Sequence, residues 1–204
     1  LLQADGRELM SIKAILWDFG DTLVDENWMQ APLEGFPGWA ETYHRAMGDS
    51  KLADDWNLGR IDMVAVSEAL GRDIGATSDL VLAHMLKACR NITFFNSVMA
   101  LARECPLPQT IVTINPDIFS YVVAPHYQLN ETFPVIVTSW EEVSLSKAAL
   151  CDVALSRLDG NVSRSEALLI DNKVKNTDEW IAAGGHSYLF TNETRFVEDS
   201  STLI

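Results

Sequence analysis

The chain is poor in cysteine and in basic residues, and it lacks a long apolar segment. Its three cysteines show no Cys-x-x-Cys spacing, and its four histidines do not pair at metal-ligand spacing. An odd number of scattered cysteines predicts no metal cluster and is typical of reduced thiols in a cytoplasmic protein. No apolar run reaches the roughly 18 residues that a membrane-spanning helix needs. The sequence also has neither a glycine-rich P-loop nor a Gly-x-Ser-x-Gly nucleophile elbow.

Charge further limits the possible partners. The chain has 15 Lys and Arg against 29 Asp and Glu, which gives a formal net charge of −14. Such a surface repels phosphate backbones and anionic membranes, so we expect no nucleic-acid partner and no membrane partner. A small anionic substrate is compatible with this charge if a metal ion and a lysine line its pocket. The 204 residues, of which 48% are hydrophobic, suit one sizeable core with or without a small appended domain.

Apolar runs alternate with helical stretches along much of the chain. The strands that we predict are 12–18, 110–115, 134–138, 167–171 and 187–191. The helices that we predict outside the first third of the chain are 96–104, 117–124, 147–158 and 176–183. Strands that alternate with helices predict an α/β fold, in which crossover helices cover a parallel sheet.

A long insert separates the first two predicted strands. Between Asp25 and Ile92 the sequence has no convincing strand, and apolar residues recur there at spacings of three and four, which is helical periodicity. A crossover between parallel strands needs far fewer residues than this. We therefore predict a core of residues 11–25 and 93–204 and a small α-helical cap of residues 26–92 over the carboxyl edge of the sheet. Residues 1–10 lack the long apolar region of a signal peptide, and we expect a lead-in segment, either a tag remnant or disordered.

Two predicted strands end on an aspartate. The first apolar run stops at Asp18, before the turn-prone pair Gly20-Asp21, and a later run stops at Asp171. Ligands of open α/β sheets bind at the carboxyl ends of the strands. A carboxylate held there can act as a nucleophile or as a metal ligand. We therefore expect Asp18 and Asp171 to converge at one sheet edge, close enough to share a cation.

The segment from Asp18 to Leu23 resembles the first motif of the haloacid dehalogenase (HAD) superfamily, commonly written D-x-D-G-T-L. In that superfamily the first aspartate attacks the substrate and forms a covalent intermediate. Gly20 stands where the phosphatases usually have an aspartate that acts as general acid and base, and Asp21 follows one residue later. We therefore expect Gly20→Asp to raise the hydrolysis of poor leaving groups, unless position 20 needs a positive φ, which aspartate tolerates poorly.

Three later segments resemble the other motifs of the superfamily. Thr113 ends a strand, and either Thr113 or Asn115 could donate a hydrogen bond to an anion near Asp18. Lys147 opens a helix and is the candidate for the lysine of the third motif. Asp171 matches the strand-end acid of the fourth motif, although Asn172 replaces the usual second acid. This resemblance implies a doubly wound, Rossmann-like core with a helical cap inserted after the first motif.

The resemblance implies a Mg²⁺-dependent phosphatase that acts on a small phosphorylated metabolite. Asp18 would be the nucleophile, and Thr113 and Lys147 would bind the phosphoryl oxygens. The ligands of Mg²⁺ would be Asp18, the carbonyl of Gly20, and Asp171, while Asn115 and Asp21 would contact the substrate. Two alternatives stay open at this point. One is a weak or inactive relative that binds a ligand or a partner protein, and the other is a metal-independent 2-haloacid dehalogenase, whose halide product needs no proton.

Overall fold

The computed structural model describes residues 12–48 and 50–203, so the predicted lead-in of residues 1–10 lies outside the described part. Five parallel strands form one sheet in the order β3-β2-β1-β4-β5. The strands are β1 (Ala14–Trp17), β2 (Gln109–Thr113), β3 (Val135–Thr138), β4 (Ala167–Asp171) and β5 (His186–Leu189). The α/β prediction with a parallel sheet is therefore confirmed.

The three central strands are apolar because they are covered on both faces. Every residue of β1, β2 and β4 is buried, as expected for a parallel sheet between two layers of helices. In the register of the sheet, Trp17 of β1 is the partner of Ile111 on one side and of Ile170 on the other. The chain winds outward from β1 in both directions, and the carboxyl end of β1 is thus the place where such sheets bind ligands.

The described part of the insert contains only helices and isolated β-bridges. A short 3₁₀ helix spans Glu26–Gln30, and it is followed by α1 (Trp39–Met47), α2 (Lys51–Asn57), α3 (Met63–Ile74) and α4 (Ser78–Cys89). Side chains of Ser50, Asp62 and Thr77 cap the amino ends of the last three helices, as their sequence positions favour. The division of the chain into a core and a cap domain stays a prediction.

The remaining helices flank the sheet. They are α5 (Asn96–Glu104), a π-helical turn (Phe119–Val123) that continues into α6 (Ala124–His126), α7 (Ser139–Glu142), α8 (Lys147–Arg157), α9 (Val174–Ala182) and α10 (Glu193–Leu203). Buried residues of α8 and α9 pack on one face of the sheet. The opposite face belongs to a larger apolar cluster that continues into the insert without a break.

A buried carboxylate links the insert to the sheet. Asp117, just beyond β2, accepts hydrogen bonds from the indole Nε1 of Trp56 at 2.7 Å and from the backbone N–H of Met63 at 3.0 Å. Trp56 belongs to α2, and Met63 opens α3. These bonds hold two helices of the insert against the carboxyl edge of the sheet.

Two further predictions concern membrane-spanning helices and the cellular location of the chain. Across residues 12–48 and 50–203, no helix combines the length and the apolar character that crossing a bilayer requires. Cys89, Cys105 and Cys151 all carry free thiols. The cytoplasmic location stays a prediction.

Candidate active site

Three strand ends bring the predicted site residues to one edge of the sheet. Asp18 directly follows β1, and its backbone N–H donates to the carbonyl of Ile170 in β4 at 2.9 Å. Asp171 is the last residue of β4, and Thr113 is the last residue of β2. The side chains of all three are buried. The expected convergence of Asp18 and Asp171 is therefore present in the structure.

Lys147 joins the two aspartates. It is the first residue of α8, whose amino end is capped by Ser146, and its side chain has no exposed surface. The ammonium lies 2.8 Å from Asp18 Oδ1, 2.9 Å from Asp171 Oδ2 and 2.7 Å from the carbonyl oxygen of Val112. The contacts with Asp18 and Val112 are hydrogen bonds, and the contact with Asp171 is an ion pair. Lys147 thus positions Asp18 beside Asp171, and the phosphoryl-binding role expected for it from the sequence stays a prediction.

The electrostatics of this trio follow from its burial. Burial raises the pKa of Asp18, the nearby Lys147 opposes that rise, and the Asp171 carboxylate adds to it. For Lys147, burial favours the neutral amine, but the carboxylates of Asp18 and Asp171 outweigh it and raise the pKa above its ordinary value. The lysine therefore stays protonated at neutral pH, between two acidic groups that would otherwise repel each other.

Thr113 and Asn115 are paired with each other. The amide Nδ2 of Asn115 donates to Thr113 Oγ1 at 2.7 Å. A hydroxyl that accepts such a bond can still donate its own hydrogen. Strand β2 ends at Thr113, earlier than predicted, because the carbonyl of Asn115 accepts bonds from the backbone N–H of Trp140 and the hydroxyl of Ser139 instead of a strand partner. Asn115 is therefore free of the sheet and faces a cavity.

A cavity of about 360 Å³ lies between this edge of the sheet and the insert. Its polar wall includes Asp21, Glu26, Asn115 and Lys173. The apolar wall comes from both parts of the chain and includes Trp28, Met29, Tyr43, Met47, Trp56, Ile118 and Phe119. The volume is within the range of small-molecule sites. Of the aromatic residues near the start of the insert, Trp28 lines the cavity, whereas Trp39 is buried and donates to the carbonyl of Met29.

Neither a protein-family model nor a curated protein sequence matches the chain. Solved structures do match. A predicted HAD-like family hydrolase from Porphyromonas gingivalis has a TM-score of 0.71 at 17% identity, over 95% of this chain and 98% of its own. A HAD family enzyme from Bacteroides thetaiotaomicron, in complex with magnesium and inorganic phosphate, has 0.68 at 15% identity, over 88% and 94%. L-2-haloacid dehalogenase from Xanthobacter autotrophicus has 0.65 at 19% identity, over 86% and 76%.

The chain has the haloacid dehalogenase-like fold. The similarity extends over most of the chain, and it therefore includes the insert as well as the sheet. The matched structures include both an enzyme solved with magnesium and phosphate and a dehalogenase. The HAD-like fold by itself thus identifies neither the substrate nor the reaction.

Within this HAD-like fold, Asp171 is already saturated with donors. Besides Lys147, its oxygens accept from the amide Nδ2 of Asn176 at 3.0 and 3.1 Å and from the backbone N–H of Lys173 at 2.8 Å. These bonds occupy both carboxylate oxygens, and the metal-ligand role expected for Asp171 stays a prediction. The next residue, Asn172, has a buried side-chain oxygen without a hydrogen-bond partner among the described residues. An unsatisfied buried acceptor is a group that a cation would satisfy. The side-chain oxygen of Asn172 is therefore available to a cation at this edge of the sheet.

Asp21 has a structural bond as well as a place in the cavity wall. Its backbone adopts a positive φ of 50°, which aspartate tolerates better than most residues. Its carboxylate Oδ1 accepts from the backbone N–H of Glu26 at 2.9 Å. Asp21 thereby fixes the start of the 3₁₀ helix against the loop that follows Asp18.

Glu26 and Lys173 are site residues that the sequence analysis missed. Glu26 is exposed at the cavity, yet the protein packed around it raises its pKa to about 7; Lys173 opposes this rise, and the Asp18 carboxylate adds to it. Lys173 directly follows the strand-end pair Asp171-Asn172, so this motif was sufficient to predict that Lys173 lies near the edge of the sheet. Glu26 carried no such signal, because it belongs to the insert and its side chain reaches back to the sheet.

Proposed function

We propose that the chain is a phosphoric monoester hydrolase that acts on a small phosphorylated metabolite, with Asp18 as its nucleophile. The observation that carries this proposal is the Asp18 carboxylate held by the buried Lys147 ammonium at the sheet edge that borders the cavity. One carboxylate oxygen is bound to Lys147, which leaves the other oxygen for attack. A nucleophile fixed in this way needs little reorganisation when the substrate binds.

The polar wall of the cavity supports a phosphoryl group over a haloacid. Lys147 is fully buried against the two aspartates, whereas Lys173 is an exposed residue of the cavity wall and can face the substrate. The amide of Asn115 and the hydroxyl of Thr113 supply neutral donors nearby. A dianionic phosphoryl group has enough oxygens to use all of these donors, whereas the single carboxylate of a haloacid has two.

In the proposed reaction, a bond forms between Asp18 and phosphorus while the bond to the ester oxygen breaks. The leaving alcohol takes up a proton. Water then attacks the aspartyl phosphate, phosphate leaves, and the Asp18 carboxylate is restored. Throughout, Lys147 keeps Asp18 in place and offsets its charge, while Lys173, Thr113 and Asn115 orient the phosphoryl oxygens.

Mg²⁺ is the metal that we propose for this site. Asp18 and the side-chain oxygen of Asn172 would hold it together with the backbone carbonyl of Gly20. Magnesium is typically bound by one or two protein oxygens and keeps several waters, which suits this small donor set. When bound, it would offset the repulsion between the carboxylate and the phosphoryl oxygens.

The proposal is tested with 4-nitrophenyl phosphate, with and without Mg²⁺. We expect hydrolysis that Asp18→Asn abolishes and that the control Asp79→Asn, an exposed aspartate of α4, leaves intact. Acid quenching followed by intact-mass measurement should detect one phosphoryl group on the wild type and none on Asp18→Asn. Chloride release from 2-chloropropionate without metal would point to a dehalogenase instead. Absence of both reactions in folded protein would contradict the proposal and favour a binding protein.

A further inference from the structure

The proposed reaction needs a proton donor, and the loop after Asp18 has no obvious one. An alkoxide leaves phosphorus slowly unless a positioned acid protonates it as the bond breaks. Gly20, two residues beyond the nucleophile, has no side chain to do this. Asp21 is present, but its carboxylate accepts the backbone N–H of Glu26 at 2.9 Å. A carboxyl group from another part of the site is therefore a candidate for the acid.

The space above Gly20 is already filled by a carboxyl group. A Cβ atom built on Gly20 would lie 2.8 Å from Glu26 Cδ, 2.9 Å from its Oε1 and 3.0 Å from its Oε2. The carboxyl group of Glu26 thus occupies the volume in which the side chain of residue 20 would begin. Gly20 does not have a positive φ, so its backbone does not require glycine. The absence of a side chain at position 20 instead leaves this space to the end of the Glu26 side chain.

Several contacts hold Glu26 in this position. The loop closes on itself through a bridge between Gly20 and Val24. Asp25 is anchored by its N–H to the carbonyl of Thr93 at 3.0 Å and caps the 3₁₀ helix by accepting from Asn27 N–H at 2.9 Å. Glu26 is the first residue of that helix, and its side chain lines the same cavity as Lys173. The carboxyl group is thus placed by a fixed backbone next to the space for the substrate.

We propose that Glu26 is the general acid and base of the reaction, supplying from the insert the carboxyl group that Gly20 lacks. This inference rests on the proposed phosphatase activity. Glu26 in its acid form gives its proton to the ester oxygen as the bond from phosphorus to that oxygen breaks and the bond to Asp18 forms. The resulting carboxylate takes a proton from the water that attacks the aspartyl phosphate, which releases phosphate and restores the acid. The proton count is thereby balanced over one turnover.

This assignment reverses the effect expected for Gly20→Asp. The new side chain would collide with the carboxyl group of Glu26, and two acidic groups would compete for one place. We expect Gly20→Asp alone to lower activity towards every phosphate ester. Combined with Glu26→Ala, which vacates the space, it should return a carboxyl group to nearly the same position from the other side of the loop.

The test compares a good and a poor leaving group in the full chain with Mg²⁺ present. Glu26→Gln keeps the size of the side chain but cannot donate a carboxyl proton. We expect kcat/KM to fall by about 10²–10⁴ for phenyl phosphate and by a much smaller factor for 4-nitrophenyl phosphate, whose leaving group hardly needs a proton. The matched control is Glu34→Gln, an exposed glutamate of the same insert. Folding of each variant is checked by its thermal melt.

The outcomes separate this inference from the function on which it rests. Equal losses for both substrates in folded Glu26→Gln, or no loss for either, would overturn the role of Glu26 while leaving the phosphatase proposal in place. A wild type without Asp18-dependent hydrolysis would overturn both. The double variant that combines Gly20→Asp with Glu26→Ala is compared with Glu26→Ala alone. Faster hydrolysis of phenyl phosphate by the double variant supports the shared position of the two carboxyl groups. A folded double variant that is no faster than Glu26→Ala contradicts it.

Discussion

Two buried carboxylates of this protein are satisfied in different ways. Asp171, at the end of β4, shares the Lys147 ammonium with Asp18. Asp117, beyond β2, is 2% exposed and accepts from neutral donors, namely the indole of Trp56 and the backbone N–H groups of Met63 and Ile118. Burying a carboxylate is costly unless it is paired or hydrogen-bonded, and the chain uses both solutions.

The two carboxylates have different roles. Asp171 belongs to the candidate active site, whereas Asp117 fixes the insert to the sheet. The cation fixes the distance between Asp18 and Asp171 and keeps both acidic groups at one edge of the sheet. Two of the neutral donors of Asp117 come from helices of the insert, so the same kind of carboxylate fixes the insert to the sheet. Because neither arrangement depends on surface charge, we expect both to resist added salt.

The largest effect on stability is expected from removing the Lys147 ammonium, which Asp18 and Asp171 share. Lys147→Met leaves Asp18 and Asp171 buried beside each other without a cation. We expect a loss of about 3–5 kcal/mol in the free energy of unfolding, since one partner of a buried pair is removed. Urea denaturation measures it, with Lys175→Met, an exposed lysine of α9, as the control. A variant as stable as the control would show that the two carboxylates do not need the ammonium.

Breaking the hydrogen bonds between Asp117 and its neutral donors should destabilise the protein less than removing the Lys147 ammonium. Asp117→Asn keeps one acceptor oxygen, so either the Trp56 indole or the Met63 N–H loses its partner. We expect a loss of about 1–3 kcal/mol in the free energy of unfolding. A double-mutant cycle with Trp56→Phe should give a coupling energy of at least about 0.5 kcal/mol. The control is Asp54→Asn, an exposed aspartate of α2, and additive effects would contradict the docking role.

A third variant sharpens the comparison by adding charge to the site. Asn172→Asp places another carboxylate next to Asp171, although the single Lys147 ammonium already contacts the carboxylates of Asp18 and Asp171. We expect lower stability without metal and, because carboxylate charge tunes cation affinity, about tenfold tighter Mg²⁺ binding. The measurement is the rise of the melting temperature with Mg²⁺ concentration in both proteins. An identical rise in the two would mean that residue 172 does not face the metal.

The smallest effect is expected for Lys13 and Glu166, a pair near the surface that contrasts with the fully buried Asp171. Glu166 contacts Lys13 and closes a capping box with Ser163, and these bonds lower its pKa from 4.5 to about 2. Because the folded-state pKa is the lower one, the stabilisation is fully present above about pH 4.5 and is lost as the pH falls through 2. Glu166→Gln should lower the melting temperature by about 1–3 °C at pH 7. The difference should disappear near pH 2, and a difference that persists there would exclude an ionic origin.

The local pattern of the sequence predicted the helices and strands more accurately than it predicted the contacts between side chains. The predicted strand 167–171 and helix 96–104 coincide with β4 and α5, because burial on both faces of a strand and helical spacing are properties of neighbouring residues. The convergence of Asp18 and Asp171 was predictable for the same reason, since parallel strands end at one edge. The helix predicted at 117–124 lies within a continuous helical segment of residues 117–126, although a π-helical turn at Phe119–Val123 forms its middle.

The roles within the site depended on packing. Lys147 was placed correctly at the start of a helix, but the sequence contains no sign that its ammonium contacts Asp18, Asp171 and a backbone carbonyl. Gly20 was read as a missing acid, whereas its lack of a side chain makes room for Glu26. In both cases the deciding contact is made by a side chain from another element.

The sequence by itself therefore determined the parallel α/β sheet, its strand-end aspartates and the helical insert, because each follows from periodicity and from the residue that ends an apolar run. Only the tertiary structure decided which groups face the cavity and which hold others in place. Those assignments depend on pairs that are far apart in the chain, such as Asp18 with Lys147 and Trp56 with Asp117, whose sequence separations are 129 and 61 residues. No local pattern encodes which donors of a side chain are already taken, since the packing of the whole chain determines it.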